Sequence, residues 1–458
     1  MQKRFALLLV LALALALGCS LAGRVAQSLS PASPTPSATA IPSPTPTATP
    51  VPAAFIPPQC AAVAVATLPA ATTVALPTPA LENDLPITSD EQLAVLDELV
   101  STIADVYLYP DVLGGEWRTT AGATRARVEA GLDTEAFYEE IHDLVLALGD
   151  EHSDFQSPSG VIAADAELAG SNDYVGIGVL VLPLPEKGRV TILSVFPESP
   201  AGFGGLQPHD SILTVDGLPI VEGGEAHPHL VRGPECSAVV LTIQSPGQAP
   251  WEVTFVRARV TAPLPIHARL VPTTDGARIG YIFLPTFFDQ TITGQVRQAL
   301  EDFGPLDGLI LDNRMNGGGS STVVEPLLGF FTSGVVGHFV SRQEERPLEV
   351  VAEPIHNSQD VPLVVLVAED TVSFGEIFSG ALHDLGRSWI VGQPTLGNVE
   401  TLHGYDMPDE SRVWIAEERF DPLYSDDDWE ALGIVPDVEV IADWDTFTFE
   451  TDPGIGAA

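Results

Sequence analysis

Residues 308–312 read GLILD and residues 362–368 read PLVVLVA. Each is an apolar run of strand length, and each is followed by a stretch with helical spacing. After the first comes a helix-like segment at 321–331. After the second, beyond Thr371-Val372-Ser373, the residues Ile377, Phe378, Ala381, Leu382 and Leu385 share a helical face. Upstream, RIGYIFLPTF at 278–287 is strand-like and 291–303 is helix-like. Strands apolar on both faces are buried on both faces, and parallel neighbours need a helical crossover. The rhythm therefore constrains residues 263–446 to an α/β (α+β) core with a largely parallel sheet packed by helices.

The remaining chain divides by texture into a signal segment at 1–19, a linker at 20–85, a helical segment at 86–168, a β-rich domain at 169–262 and a tail at 447–458. In the helical segment, Leu93, Leu96, Leu99, Val100, Ile103 and Tyr107 keep helical spacing behind Ser89-Asp90-Glu91. A second helix fits 133–148 and ends at Gly149, immediately before Asp150-Glu151-His152-Ser153. From about 172, YVGIGVLVLPL, a turn at Glu186-Lys187-Gly188 and RVTILSVF read as a hairpin.

Gln2-Lys3-Arg4 precedes 13 apolar residues, 5–17, a run too short to span a bilayer. Gly18-Cys19-Ser20 follows and resembles a bacterial lipoprotein box, with Cys19 as the lipidation site; Ala16 stands where leucine is usual. An ordinary secretory signal is the competing reading. The tract SPASPTPSATAIPSPTPTATPVP at 30–52 cannot bury a core and favours an extended stalk. Export makes a Cys60–Cys236 disulfide chemically possible and leaves it undecided. A net charge of −42 argues against nucleic-acid partners and anionic membrane surfaces. Membrane contact is then expected only through the lipid anchor, and oligomeric state is left open.

Two stretches of the core carry chemistry. Asp312-Asn-Arg-Met-Asn316-Gly-Gly-Gly319 ends a buried strand, where glycines let backbone N–H groups face a cleft as an oxyanion hole requires. A tight βα loop would look the same. Ser373-x-x-Glu376 opens a helix. It reads equally as a capping box or as a nucleophile beside the positive end of a helix. The N–H of Phe374 would then be a second oxyanion donor.

In the β-rich part, Gly176-Ile177-Gly178, Ser199-Pro200-Ala201, Gly205-Leu206, Asp210-Ser211-Ile212 and Val215-Asp216-Gly217 resemble a PDZ domain of bacterial processing proteases. The resemblance implies that amides near Gly176, Ile177 and Gly178 bind a peptide terminus; a small β domain with ordinary turn glycines is the plainer alternative. With GDEHSDF, GYIFLPTF, LILDNRMNGGG, the Ser373 segment, IVGQPTLGN and GIVPDVEV, residues 88–441 resemble the C-terminal processing (tail-specific) peptidases of family S41. This implies a crotonase-like core, a serine endopeptidase acting on polypeptides near their C-termini, Ser373 as nucleophile, Gly318 and Gly319 in the oxyanion hole, and no cofactor.

Many such enzymes use a lysine base just after the segment matching Gly397. Here Asn398 holds that position, and Leu402 holds that of the accompanying glutamine. The chain's two lysines, Lys3 and Lys187, lie in the signal segment and the β hairpin. Histidine is the remaining group with a suitable pKa. A tricorn-like branch implies His152 for this role, oriented by Glu400 or Glu430, with Glu400 slightly preferred; His403 is a reserve. On a strand, Asn398, Glu400 and Leu402 would share one face. The paired histidines His227 and His229 have no metal-ligand spacing, so no metal is expected. The alternative function is a catalytically inactive peptide-binding lipoprotein on the same fold.

Overall fold

The computed structural model describes residues 56, 57, 60, 84–150, 152–168 and 174–458. The expected signal segment, Cys19, nearly all of the expected linker and Glu151 lie outside the described residues.

A six-stranded sheet organises the core, in the order His267–Val271, Ile279–Phe283, Gly308–Asp312, Leu363–Val367, Trp389–Gly392 and Val438–Glu439. All pairs are parallel except the first. Alternate residues serve opposite faces. Leu309, Leu311, Val365, Val367 and Ile390 face the helices Ile292–Phe303, Ser321–Gly329 and Phe374–Asp384. Ile310, Leu366, Val391, Tyr281 and Phe283 face the other way, against Leu193 of the β-rich part and Trp444 and Phe447 near the C-terminus. Burial of each such aliphatic side chain contributes roughly 1.5–3 kcal/mol, so both faces stabilise the sheet.

A second sheet joins distant pieces. Its long strand Arg412–Pro422 pairs with Asp154–Gln156, Thr401–Asp406 and Gly334–Val340, and the last pairs with Glu345–Val350. The helices Ser89–Val106, Glu116–Ala130 and Thr134–Leu146 pack on this strand through Val413, Ile415 and Ala416. The first helix is capped by Thr88, one residue before the expected Ser89. This sheet brings His152, two residues before Asp154, toward segments more than two hundred residues away.

The β-rich part is a separate sheet with its own core of Ile192, Ile212, Leu241 and Phe255. Its strands run in the order Trp251–Val256, Ala238–Gln244, Ser211–Val215, Arg189–Val195 and Val179–Leu184, the last forming one end of the path. Cys60 is buried in a disulfide with Cys236, so the segment read as linker is covalently tied to this part at residue 60. Residues 447–458 form no loose tail: a 3-10 turn at Phe449–Thr451 and a short helix at Pro453–Ala457 pack on the core.

Candidate active site

Ser373 lies between the strand Leu363–Val367 and the helix Phe374–Asp384, with φ +56° and ψ −125°. A non-glycine residue there stores about 1–3 kcal/mol and persists only when its surroundings force it. Three contacts do so. The Val372 N–H donates to Asn316 O at 3.0 Å. The Gly375 N–H donates to Val372 O at 2.8 Å. The Ser373 N–H donates to Glu376 Oε2 at 3.2 Å. The Glu376 N–H donates to the Ser373 carbonyl at 2.9 Å. The pair thus keeps the capping-box arrangement, with the glutamate reaching back, but no hydrogen bond of full geometry holds the Ser373 hydroxyl among the described residues.

Glu376 is fully buried, and its second oxygen accepts from Thr395 Oγ1 at 2.5 Å and from the Gly397 N–H at 3.0 Å. Burial raises its pKa, with these donors pulling the other way. One carboxylate therefore joins the serine turn to the segment 395–400. Asn313 braces the helix start, donating from Nδ2 to Gly375 O and Ser379 Oγ, each at 2.8 Å.

Gly318 lies against the serine. A Cβ added to it would come within 2.7 Å of Ser373 Cβ and 3.2 Å of Phe374 N, and its φ is +90°. The Gly318 N–H donates to Asn316 Oδ1 at 3.0 Å, so it is already occupied. The N–H groups of Gly319 and Phe374 have no hydrogen-bond partner among the described residues. Gly319 bridges to Phe287, whose carbonyl carbon a Cβ would meet at 2.0 Å.

His152 is set by Asp150, which accepts the His152 N–H at 3.0 Å and the Ser153 N–H and Oγ at 2.8 and 2.6 Å. Its ring is buried, with Nε2 2.7 Å from Glu430 Oε1 and 3.5 Å from Glu400 Oε2. Nδ1 is buried without a partner. Each carboxylate is held from behind: Glu400 Oε1 accepts from the Tyr109 hydroxyl, and Glu430 Oε2 accepts the Val399 N–H at 2.8 Å. Both expected acids thus meet the imidazole, but the direct bond belongs to Glu430, against the slight preference for Glu400.

The route by which Glu400 arrives also differs from the expectation. The strand begins at Thr401, so Glu400 and Asn398 precede it and do not share a strand face with Leu402. Leu402 packs toward the helical cluster. Gly397 is the hinge between the two halves: its φ is +84°, its N–H reaches Glu376, and a Cβ there would come within 2.3 Å of Glu430 O. A chain of contacts therefore runs from Ser373 through Glu376 and Gly397 to Glu430 and His152. No hydrogen bond joins Ser373 Oγ to a histidine among the described residues. His403, the reserve base, is engaged by Glu418 Oε2 at 3.1 Å.

Tyr109 escaped sequence reasoning, and Asp150, Asn313, Asn316 and Thr395 lay in the quoted motifs without a role of their own. Glu376 was read only as a cap. The usable signal was a cluster of polar residues interrupting apolar segments beside the motifs.

In the β-rich part, Gly176 pairs with Ala258, while Ile177 and Gly178 form the link to the edge strand Val179–Leu184. Gly178 has φ +82°, and a Cβ there would clash with Ser199 at 2.1 Å. Its carbonyl accepts from Phe196 N–H at 3.1 Å and from Ser199 Oγ at 3.2 Å. The N–H groups of Ile177 and Gly178 have no partner among the described residues.

Comparison with known proteins gives concordant results. The family described as peptidase family S41 matches residues 278–440. A C-terminal processing peptidase of the Tetradesmus obliquus chloroplast is 30% identical over 329 residues, covering 66% of this chain and 68% of its own. A carboxyl-terminal-processing protease of Synechocystis sp. is 29% identical over 326 residues, covering 70% and 74% respectively. The solved photosystem II D1 C-terminal processing protease aligns with a TM-score of 0.52 at 26% identity, over 77% of this chain and 94% of that one.

Proposed function

This chain belongs to peptidase family S41 and is a serine-type hydrolase, and we propose that it is an exported endopeptidase using Ser373 and His152 on polypeptides recognised near their C-termini. The observation that carries the reading is the imidazole held by two carboxylates and linked by Glu376 and Gly397 to a strained serine turn. With its proton on Nε2 and donated to Glu430, His152 keeps an unshared pair on Nδ1, the nitrogen without a partner. That nitrogen takes the Ser373 proton as Oγ attacks the scissile carbonyl, through a hydrogen bond that forms only when substrate closes the site. Glu430 stabilises the imidazolium, as a carboxylate does in a serine–histidine–acid triad. The N–H of Phe374 and that of Gly319 receive the oxyanion. The imidazolium then protonates the leaving amine, and water releases the acyl group.

The β-rich part acts as a PDZ-like reader. A peptide adds beside the edge strand Val179–Leu184, with its carboxylate at the Ile177 and Gly178 amides. Export, with anchoring at Cys19, agrees with the Cys60–Cys236 disulfide, since such bonds persist in oxidising compartments.

A non-catalytic peptide binder is favoured by the lack of a direct Ser373–histidine hydrogen bond. A fluorophosphonate probe separates the two. Labelling of the folded chain at pH 8 that vanishes in Ser373→Ala supports the peptidase, together with a loss of roughly a hundredfold or more in casein cleavage for His152→Ala. A folded wild type that never labels supports the binder.

A further inference from the structure

We propose that His152, Glu400 and Glu430 form a binding site for a single divalent transition-metal ion, Zn²⁺ by chemical preference, whose occupancy switches the peptidase off. The site itself stands on geometry; its inhibitory effect rests on the role proposed above for His152. The three ligating atoms lie within 4.8 Å of one another. In a tetrahedral zinc site with bonds of 2.0–2.2 Å, ligand atoms sit about 3.3 Å apart. Nε2 lies 3.5 Å from Glu400 Oε2 and 2.7 Å from Glu430 Oε1. A shift of roughly half an ångström by the partly exposed Glu430 carboxylate would open the second edge to that spacing.

A second feature points to a missing ligand. Glu400 Oε2 is buried with no hydrogen-bond partner, and its side chain is 2% exposed. A buried carboxylate oxygen without a donor is costly unless something positive completes it, and the imidazole 3.5 Å away does so only while it is protonated. It faces the imidazole nitrogen that already meets Glu430. The outer arrangement also suits a metal: Tyr109 fixes one Glu400 oxygen and the Val399 amide fixes one Glu430 oxygen, turning the remaining oxygens inward. Two carboxylates balance the charge of a divalent ion. The imidazole nitrogen favours zinc-like ions over calcium or magnesium, which prefer oxygen shells. Glu430, 25% exposed at its side chain, provides the side from which an ion enters.

Coordination through Nε2 disables the base whichever ring nitrogen serves the serine. The metal occupies the Nε2 lone pair, and neutral imidazole then carries its proton on Nδ1. Neither nitrogen can accept the Ser373 proton.

The test uses the folded Ser373→Ala chain, so binding is read without turnover. Zn²⁺ titrated calorimetrically at pH 7.5 in a non-chelating buffer should bind at one ion per chain and raise the melting temperature. Affinity should fall at least tenfold in Ser373→Ala backgrounds carrying Glu400→Gln or Glu430→Gln, with both variants still melting cooperatively. No saturable binding below 0.1 mM on the order of the assay limit, or equal binding in all variants, overturns the site. In the wild type, Zn²⁺ should suppress cleavage and EDTA should restore it. Continued cleavage with the ion bound through these residues overturns the switch. A metal-free wild type that neither cleaves nor labels is the separate failure of the peptidase reading.

Discussion

At His152, burial works against the charged ring, but the hydrogen bond it donates to Glu430 and the charges of Glu430, Glu400 and Asp150 outweigh it, so its pKa is raised above 6.5. Glu400 is pushed up to about 7, chiefly by burial; Tyr109's hydrogen bond opposes this and Glu430's charge adds to it. Both shifts are upward and the two groups lie 3.5 Å apart, so they titrate as a pair. A general base acts only when neutral. The rate should rise with pH through an apparent pKa above 6.5 and fall away on acidification. Glu430→Gln removes one charge and leaves only a neutral amide acceptor for the ring, so burial is less opposed and the acid limb of kcat/KM should move to lower pH while the maximum rate drops. A limb that stays in place in this variant, measured over pH 5 to 9, would show that the titrating base is not the ring beside Glu430.

Between the strand Leu363–Val367 and the helix Phe374–Asp384, the turn depends on a single buried acid. Glu376 accepts three donors, from Ser373, Thr395 and Gly397. Glutamine keeps the shape but turns an N–H₂ toward one set of donors, leaving at least one buried N–H or hydroxyl unmatched. Glu376→Gln should cost about 1–3 kcal/mol of stability and reduce kcat far more than KM, because the serine turn loosens while the edge strand Val179–Leu184, proposed to take the peptide, is untouched. Denaturant melts with steady-state kinetics check this; unchanged kcat would remove Glu376 from the positioning of Ser373. The pattern Ser373-x-x-Glu376 was legible in sequence because capping is local. The strands Gly334–Val340, Glu345–Val350 and Arg412–Pro422 were not, since their partners are non-local and no short window encodes the pairing. Glu400 was selected by assuming a strand through 398–402, yet it reaches His152 from the loop before Thr401. The motif identified the residue although the local geometry assigned to it was different.

Across the whole molecule, the C-terminal segment joins parts that the sequence showed only as neighbours. Trp444 Nε1 donates to Ile192 O at 3.1 Å, Lys187 pairs with Asp443 and Asp445 at 2.8 and 2.6 Å, and Asp452 holds the buried Arg314. Composition marked 447–458 as a tail because its anchoring partners lie far away in the chain. His209 sits at this junction, 4.2 Å from the Trp444 ring, with Nδ1 2.8 Å from Trp444 O. Burial, helped by Arg314's charge and opposed by the Trp444 carbonyl, Asp452 and Asp312, lowers its pKa to about 4. His267, lining the same cavity of about 230 Å³, is also lowered to about 4, first by burial and then by Arg269 and His209. Between pH 6.5 and 4 the unfolded chain binds these protons and the folded chain does not, so stability is full above 6.5 and declines toward 4. Each histidine contributes a slope approaching 1.4 kcal/mol per pH unit across that window. Asparagine tolerates the φ of +77° at position 209 and does not titrate. The difference between wild-type and His209→Asn unfolding free energies should therefore change by about one proton's slope from pH 6.5 to 4, with earlier hydrogen exchange in Arg189–Val195 of the wild type on acidification. A difference that stays flat with pH would mean that His209 protonates without loosening the joint between the β-rich part, the sheet and the C-terminal segment.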